Sequence, residues 1–335
     1  MKKGFTLFEL LAVLTILGLV LAITIPSIGD IISRNREKLY IETENRILDA
    51  AKSYTLENPI ELPNVVGNSV KIDISTLIEN KHLQQVKDLK DKDQICTGYV
   101  LITKVEDNYE MIPYINCPNY ISKNIVSEGL ILDMPLGDYI SGSNFIDKEE
   151  NYVGTNINGV SANNRFGKSE EATYFNGTNA YVNIVNDSQL TPKSITLSSW
   201  INMDITASTA RHIYFTNWGG YSVEIEATTR RPYFRLQGVA DVYSSENLVL
   251  GNWYNVVCTF EEGKSSKIYL NGQLKGTVIT ANPIVYSNNT VLNIGRYAGG
   301  VYFKGIIDDA RIYNRALNSD EVLHNYIVES QVNVD

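Results

Sequence analysis

The segment Phe5–Ile25 reads FTLFELLAVLTILGLVLAITI and decides where the rest of the chain lives. Its twenty-one residues carry one charge, Glu9, one glycine, Gly18, and no proline. A helix rising about 1.5 Å per residue makes this segment about 30 Å long, the thickness of a bilayer's hydrocarbon core. A carboxylate at membrane depth costs about 2.5–3.5 kcal/mol on insertion scales, less near a helix end, so Glu9 calls for a partner. Three readings of the segment compete: a cleaved secretory signal, a plain anchor, and a helix that assembles with others. The basic start, Lys2-Lys3, fits a signal. The apolar core is long for one, Pro26-Ser27-Ile28-Gly29 is not an A-x-A site, and the helical pattern continues beyond it. A plain anchor leaves Glu9 unexplained. In any spanning reading Lys2 and Lys3 hold the N-terminus in the cytoplasm and place the remainder outside.

The run Lys2-Lys3-Gly4-Phe5-Thr6-Leu7-Phe8-Glu9-Leu10-Leu11 closely resembles the N-terminus of type IV prepilins and of type II secretion pseudopilins. That resemblance implies cleavage after Gly4 by a prepilin peptidase, N-methylation of Phe5, and pairing of Glu9 with the N-terminal amine of a neighbouring pilin. It supplies the partner that Glu9 needs. Pro26 matches the family's helix-bending proline.

At 335 residues the chain has room for about two domains beyond the helix. Apolar content of 44%, with 20% charged, is ordinary for folded protein. A net charge of −9 with no long basic run disfavours a nucleic-acid partner. The 21 tyrosines suit β-rich structure, or faces on which sugar rings stack. Three cysteines, with no C-x-x-C or H-x-x-x-H spacing, give no zinc site. Cys258 lies in Trp253–Phe260 among alternating apolar residues and reads as a small buried hydrophobe.

Beyond Pro26 the residues Tyr40, Thr43, Ile47, Ala50, Ala51 and Tyr54 recur at three or four, which predicts an amphipathic helix ending near Asn58-Pro59. The chain is divided as a leader (1–4), a helix (5–57, with 5–25 transmembrane), a small α+β head (58–125) and a sandwich (128–328), with 118–127 as a linker. In the head, Asp73–Ile78 starts a short helix, and Cys96–Thr103 and Tyr109–Cys117 form a hairpin. The arrangement C-x-G-Y-V … Y-x-x-x-P-Y-I-x-C resembles the pilin-like heads in which a disulfide ties the C-terminal strands. It implies a Cys96–Cys117 bond, although two unpaired cysteines at matched hairpin ends is the other reading. A loop of this size would contribute about 3 kcal/mol in the chain-entropy model.

After the linker, helical periodicity gives way to short alternating segments separated by Gly, Asn and Asp. Ten of them, from Ala172–Phe175 to Gly305–Tyr313, predict a β-sandwich, with Asn271-Gly272 as a hairpin turn. Four pieces in order, Phe175–Val182, Ser194–Ile201, Trp253–Val257 with Ile268–Gly272, and Phe303–Leu317, resemble LamG-like, concanavalin A-like jelly rolls of bacterial surface proteins. Asn318-Ser319-Asp320-Glu321 offers a capping box for a closing helix.

That second resemblance implies a calcium ion held by Asp308 or Asp309 with oxygens from the Asp147–Gly154 loop, Asp147 and Asn151 among them; a solvated loop is the other reading. Asp308 and Asp309, adjacent in a strand, are expected on opposite faces. Asn217, Trp218 and Tyr297 are the candidate ligand-binding residues, since an aromatic beside an amide in a turn stacks on a sugar and bonds its hydroxyls; packing is the alternative. Glu224-Ile225-Glu226 puts two acids on one strand face as in laminarinase-type enzymes. The third acid is missing, and His82, His212 and His324 are scattered, so no enzyme activity is expected. The resulting expectation is a minor type IV pilin, membrane-inserted and then extracellular on the filament. Its sandwich binds a glycan or a surface protein. A pseudopilin of a secretion or competence machine, or a displayed glycosidase, are the alternatives.

Overall fold

The computed structural model describes residues 7–137, 144–185, 188–204, 212–217, 219–287, 291–297 and 300–331, with the side chains of Glu9, of 18–30 and of 212–217 outside that description. Helix α1 runs from Leu7 to Glu57. From Leu7 to Leu17 every described side chain is exposed, whereas Tyr40, Ile47, Ala50, Ala51 and Tyr54 are buried. The apolar start therefore meets nothing in its own chain, and the amphipathic half covers a head. Among the described residues no helix is long and apolar enough to cross a membrane; the stretch Phe5–Ile25 lies partly outside them.

The head is one antiparallel sheet with α2 (Ile74–Glu79) at its side, in the order β1 (Ser69–Asp73), β2 (Thr97–Val105), β3 (Asn108–Cys117), β4 (Tyr120–Ile121). Cys96 and Cys117 are joined in a disulfide at the end of the β2–β3 hairpin. One face of the sheet, with Ile72, Val100, Ile102 and Ile115, packs on α1.

The sandwich follows: β5 (Leu130–Met134), β6 (Asn144–Ile146), β7 (Val153–Ile157), β8 (Val160–Ala162), β9 (Ala172–Asn176), β10 (Tyr181–Ile184), β11 (Ile195–Met203), β12 (His212–Asn217), β13 (Tyr221–Ile225), β14 (Pro232–Leu236), β15 (Val242–Tyr243), β16 (Trp253–Glu261), β17 (Ser265–Leu270), β18 (Gln273–Ile279), β19 (Leu292–Ile294), β20 (Arg296–Tyr297), β21 (Val301–Tyr302) and β22 (Lys304–Tyr313), then α3 (Ser319–Glu329). One sheet has the order β15-β14-β13-β12-β19-β10-β7-β6. The other has the order β18-β17-β16-β11-β22-β9-β8, with β5 paired to β22. Their facing surfaces enclose the main core, from Phe145 and Val182 on one side to Ile201, Val256 and Ile307 on the other. Cys258 sits inside it fully buried, and burial pushes its thiol up. Asn271 and Gly272, both at positive φ (49° and 73°), close the two-residue β17–β18 hairpin as a type I′ turn demands. A Cβ on Gly272 would come within about 3.1 Å of Leu323 and Tyr326, so α3 rests on that turn. The capping box forms: the Asn318 side chain accepts from the amides of Asp320 and Glu321, and Glu321 accepts from Asn318 N.

The segment 118–127 is not the loose linker expected. Its start pairs with β3, and Tyr120 stacks on Tyr40 at 4.2 Å. Glu44 on α1, 4% exposed, accepts from Tyr120 Oη, Ser122 Oγ and Asn124 Nδ2. A third core then joins the bodies: Leu101 and Ile112 from the far face of the head sheet meet Val126, Val257, Tyr269, Tyr313, Leu317 and Val322. The head sheet is covered on both faces, by α1 on one and by the sandwich with α3 on the other.

Candidate functional site

Two places on the sandwich gather the expected site residues. The first is the rim where β6 meets β22. The pairing of β11 with β22 runs Ser198↔Arg311 and then Trp200↔Asp308, which leaves an extra residue in β22. Asp309 takes φ +49° at this bulge. A bulge sets two residues of one strand opposite one of its partner and breaks the two-residue alternation of faces. The carboxylates of Asp308 and Asp309, expected on opposite faces, instead converge on Arg165 Nη1 at 2.5 and 2.9 Å. Arg165 is itself held between the rings of Phe166 and Trp200, each 4.7 Å away, and its Nε donates to Glu329 O.

Behind them Arg311, 4% exposed, spans three acids: Asp133 at 2.8 Å, Asp309 at 3.2 Å and Glu329 at 2.6 Å. Lys148 reaches Asp133, and the Trp200 indole donates to Glu329. Burial, with the charge of Asp309, pushes the Asp308 carboxyl up to about 8. Burial acts on Asp309 in the same sense, but Arg311 and Arg165 outweigh it and hold that carboxyl below its usual range. Burial raises Glu329.

Of the expected calcium ligands, Asp147 is buried and accepts from the amides of Asp133 and Asn151, while Asn151 itself is exposed. Asp308 and Asp309 face arginines. Among the described residues no three His, Cys, Asp or Glu side chains gather as a metal group. The arginines were not foreseen as partners of these acids; Arg165 stands 143 positions from Asp308.

The second place is the outer face of the eight-stranded sheet. In register across it stand Asn144, Thr155, Asn183, Asn293, Ser222 and Arg235, on β6, β7, β10, β19, β13 and β14, with β12 running between β19 and β13. Their strand neighbours Phe145, Val182, Leu292, Val223 and Phe234 belong to the core, so alternation puts the polar row on the opposite face. Asn183 Nδ2 donates to Asn293 Oδ1 at 3.2 Å. At the β13–β14 end, Ser222 and Arg235 line a cleft of about 350 Å³ together with Gln237, Ser287 and Tyr297. Tyr297 is 38% exposed at its edge. Trp218 lies outside the described residues, as does the side chain of Asn217. The charge of Arg235 is engaged internally, by Glu224 and Asp241. Glu224 also accepts from Ser222 and Tyr233, and Glu226 from Thr229 and Arg231, so both acids of the Glu224-Ile225-Glu226 motif are committed to partners.

Two eight-stranded sheets around a filled core, with a polar outer face, define a β-sandwich consistent with a concanavalin A-like fold, carried on a long helix. Residues 176–323 match the concanavalin A-like lectin/glucanases superfamily of laminin G type, and residues 1–25 match the prokaryotic N-terminal methylation motif. No curated protein matches the chain. Among solved structures, a Trypanosoma rangeli sialidase is similar at a TM-score of 0.49 and 14% identity, over 73% of this chain and 44% of that one. Domain 4 of AbnA, an extracellular arabinanase from Geobacillus stearothermophilus solved with arabinotriose, is similar at 0.47 and 18%, over 59% of this chain and 100% of that one. The binding domain of botulinum neurotoxin serotype G is similar at 0.47 and 18%, over 60% and 51%. The chain spans less than half the length of the sialidase. None of these likenesses carries a claim about activity.

Proposed function

We propose that this chain is a minor subunit of a type IV pilus-class filament, cleaved after Gly4 and methylated at Phe5, whose sandwich binds a neutral glycan at the cell surface. The supporting observation is the union, in one chain, of the methylation motif, a helix whose start is bare apolar surface, and a row of Asn, Thr and Ser, ending at Arg235, on a concanavalin A-like sheet. Bare apolar surface of that extent marks a membrane or protein partner. Before assembly the partner is the cytoplasmic membrane; afterwards it is the bundle of neighbouring pilins, with Glu9 paired to an N-terminal amine. A sandwich of this size on every subunit would crowd a filament, which supports a low-abundance position. Rows of Asn, Thr and Ser donate to and accept from hydroxyls without the desolvation cost of a charge. The row therefore suits neutral sugars, with Tyr297 as the stacking edge.

Two measurements test this. Mass spectrometry of the mature chain should find a methylated N-terminus at Phe5; retention of Met1–Gly4 would remove the filament reading. On a glycan array, the detergent-solubilised chain should bind neutral oligosaccharides, and Asn183→Leu should lower that affinity about tenfold, as expected for losing one or two hydrogen bonds while leaving its neighbour Asn293 unpaired. Unchanged binding by the variant would remove the row from the site.

A further inference from the structure

We propose that the neutral sugars held by the polar row are followed, at the end marked by Tyr181, by one acidic sugar, and that Arg296 receives its carboxylate. This rests on the reading of the row as a glycan site and extends it by one sugar. Arg296, half-buried, opens β20 one residue beyond β19. Its guanidinium lies over the ring of Tyr181, 4.4 Å from the centroid, with the ring of Tyr302 on β21 at 5.9 Å. Tyr181 precedes Asn183 by two positions on β10, where burial alternates, so both stand on the outer face, about 7 Å apart along the strand. The guanidinium is therefore a neighbour of the Asn183–Asn293 pair, near enough for adjoining sugars of one glycan.

What distinguishes Arg296 is that no acid holds it. Among the described residues of the sandwich and its closing segment, Arg165, Arg231, Arg235, Arg311 and Arg315 each pair with a carboxylate, and Arg230 donates to Leu248 O. Arg296 does neither: its side chain meets the two rings, and its Nε is enclosed without an acceptor. An enclosed donor left unpaired costs stability, more so in a charged group, and calls for a reason. The rings supply one. Stacked on Tyr181, the planar group is held in one orientation before any ligand arrives. Nη1 and Nη2 have no acceptor among the described residues and are not enclosed, so the end of the fork is open to solvent. Two parallel N–H donors match the two oxygens of a carboxylate. A net charge of −9 opposes a highly charged polymer and suits one acid among neutral sugars.

The test places the full chain, in detergent, on an array of matched oligosaccharides. Each set holds a neutral parent, the same chain ending in the C6-oxidised uronic acid, the methyl ester of that acid, and the 6-O-sulfate of the parent. The uronic acid should bind about tenfold to a hundredfold tighter than its parent, the usual span for a hydrogen bond to a charged group, and the ester should fall back to the parent's level. The gain should shrink as salt is raised. Arg296→Gln should bind acid and parent alike, whereas Asn183→Leu should weaken both by a similar factor. Equal binding of acid and parent by the unaltered chain would overturn the proposal and leave the row standing as a neutral-glycan site. Absence of binding to every member would remove the row and this proposal together. Tighter binding of the sulfate than of the uronic acid would overturn the choice of a carboxylate. The decisive comparison is between ligands on the unaltered chain, so the folding of the Arg296 variant does not decide it.

Discussion

Arg311→Ala is expected to destabilise the sandwich by about 3–5 kcal/mol, the cost of leaving buried charges without their partner. Three carboxylates, those of Asp133, Asp309 and Glu329, lean on this one guanidinium, and all but Asp309 are nearly inaccessible to water. Removing the cation leaves them repelling one another where water cannot screen them. Arg311→Met, which keeps most of the volume, should cost nearly as much, since the loss is electrostatic. Adding Glu329→Gln to Arg311→Met should recover part of the loss, because one uncompensated charge is removed. Chemical denaturation reads all three through the midpoint, with unchanged slope as the sign that the native and unfolded states keep their extent. A cost below about 1 kcal/mol for Arg311→Met would mean that solvent reaches the cluster as it reaches a surface ion pair. Glu329 ends α3, so the Arg311 variants should also loosen the C-terminal helix and raise protease sensitivity there.

The cluster was the part least legible beforehand, for reasons that can be named. Strands such as Tyr181–Ile184 and Pro232–Leu236 were readable to the residue because alternation and flanking Gly, Asn and Pro bound them. Asn271-Gly272 and the Asn318–Glu321 box were readable because each is a local hydrogen-bonding device. The short strands β6 and β7 were missed: they are brief and half-exposed, Gly154 and Asn156 interrupt β7, and long-range pairing holds them. The bulge at Asp309 carries no glycine to announce it, so the period-two rule gave the wrong faces. The segment 118–127 looked polar and loose because its anchor points, Glu44, Asn325 and Tyr313, are remote in sequence. The outer polar row is likewise a product of register: Asn183, Asn293 and Ser222 have nothing in common until the strands are set side by side.

Acidification is expected to loosen the junction of head and sandwich, with His324 as the group responsible. Its ring, inaccessible to solvent on α3, lies against Tyr99 and Tyr114 of the head. Nδ1 lies 2.9 Å from Tyr99 Oη, and Nε2 lies 2.8 Å from Asn124 O. Asn124 in turn donates to Glu44, so the histidine ends a chain of hydrogen bonds running from α1 through the connecting segment to α3. Burial, and the nearby Lys71, lower the histidine to about 4, although the bond to Asn124 opposes them. Below the unfolded value near 6.5 the unfolded chain takes up a proton that the folded chain refuses, so stability falls as pH falls, and the loss is complete near pH 4. Over that window the loss is on the order of 3 kcal/mol, at about 1.4 kcal/mol per unit. Asp308 works in the opposite direction, since a carboxyl raised by burial adds stability at low pH that is lost as pH rises toward 8. The two are separated by His324→Gln, which keeps a hydrogen-bonding side chain and cannot titrate. Thermal unfolding at pH 7 and at pH 4 should show the variant gaining stability relative to the parent as pH falls, with Asp308's contribution present in both. Identical pH profiles would mean that the histidine protonates without leaving its place, and that the junction tolerates a charge between two tyrosines.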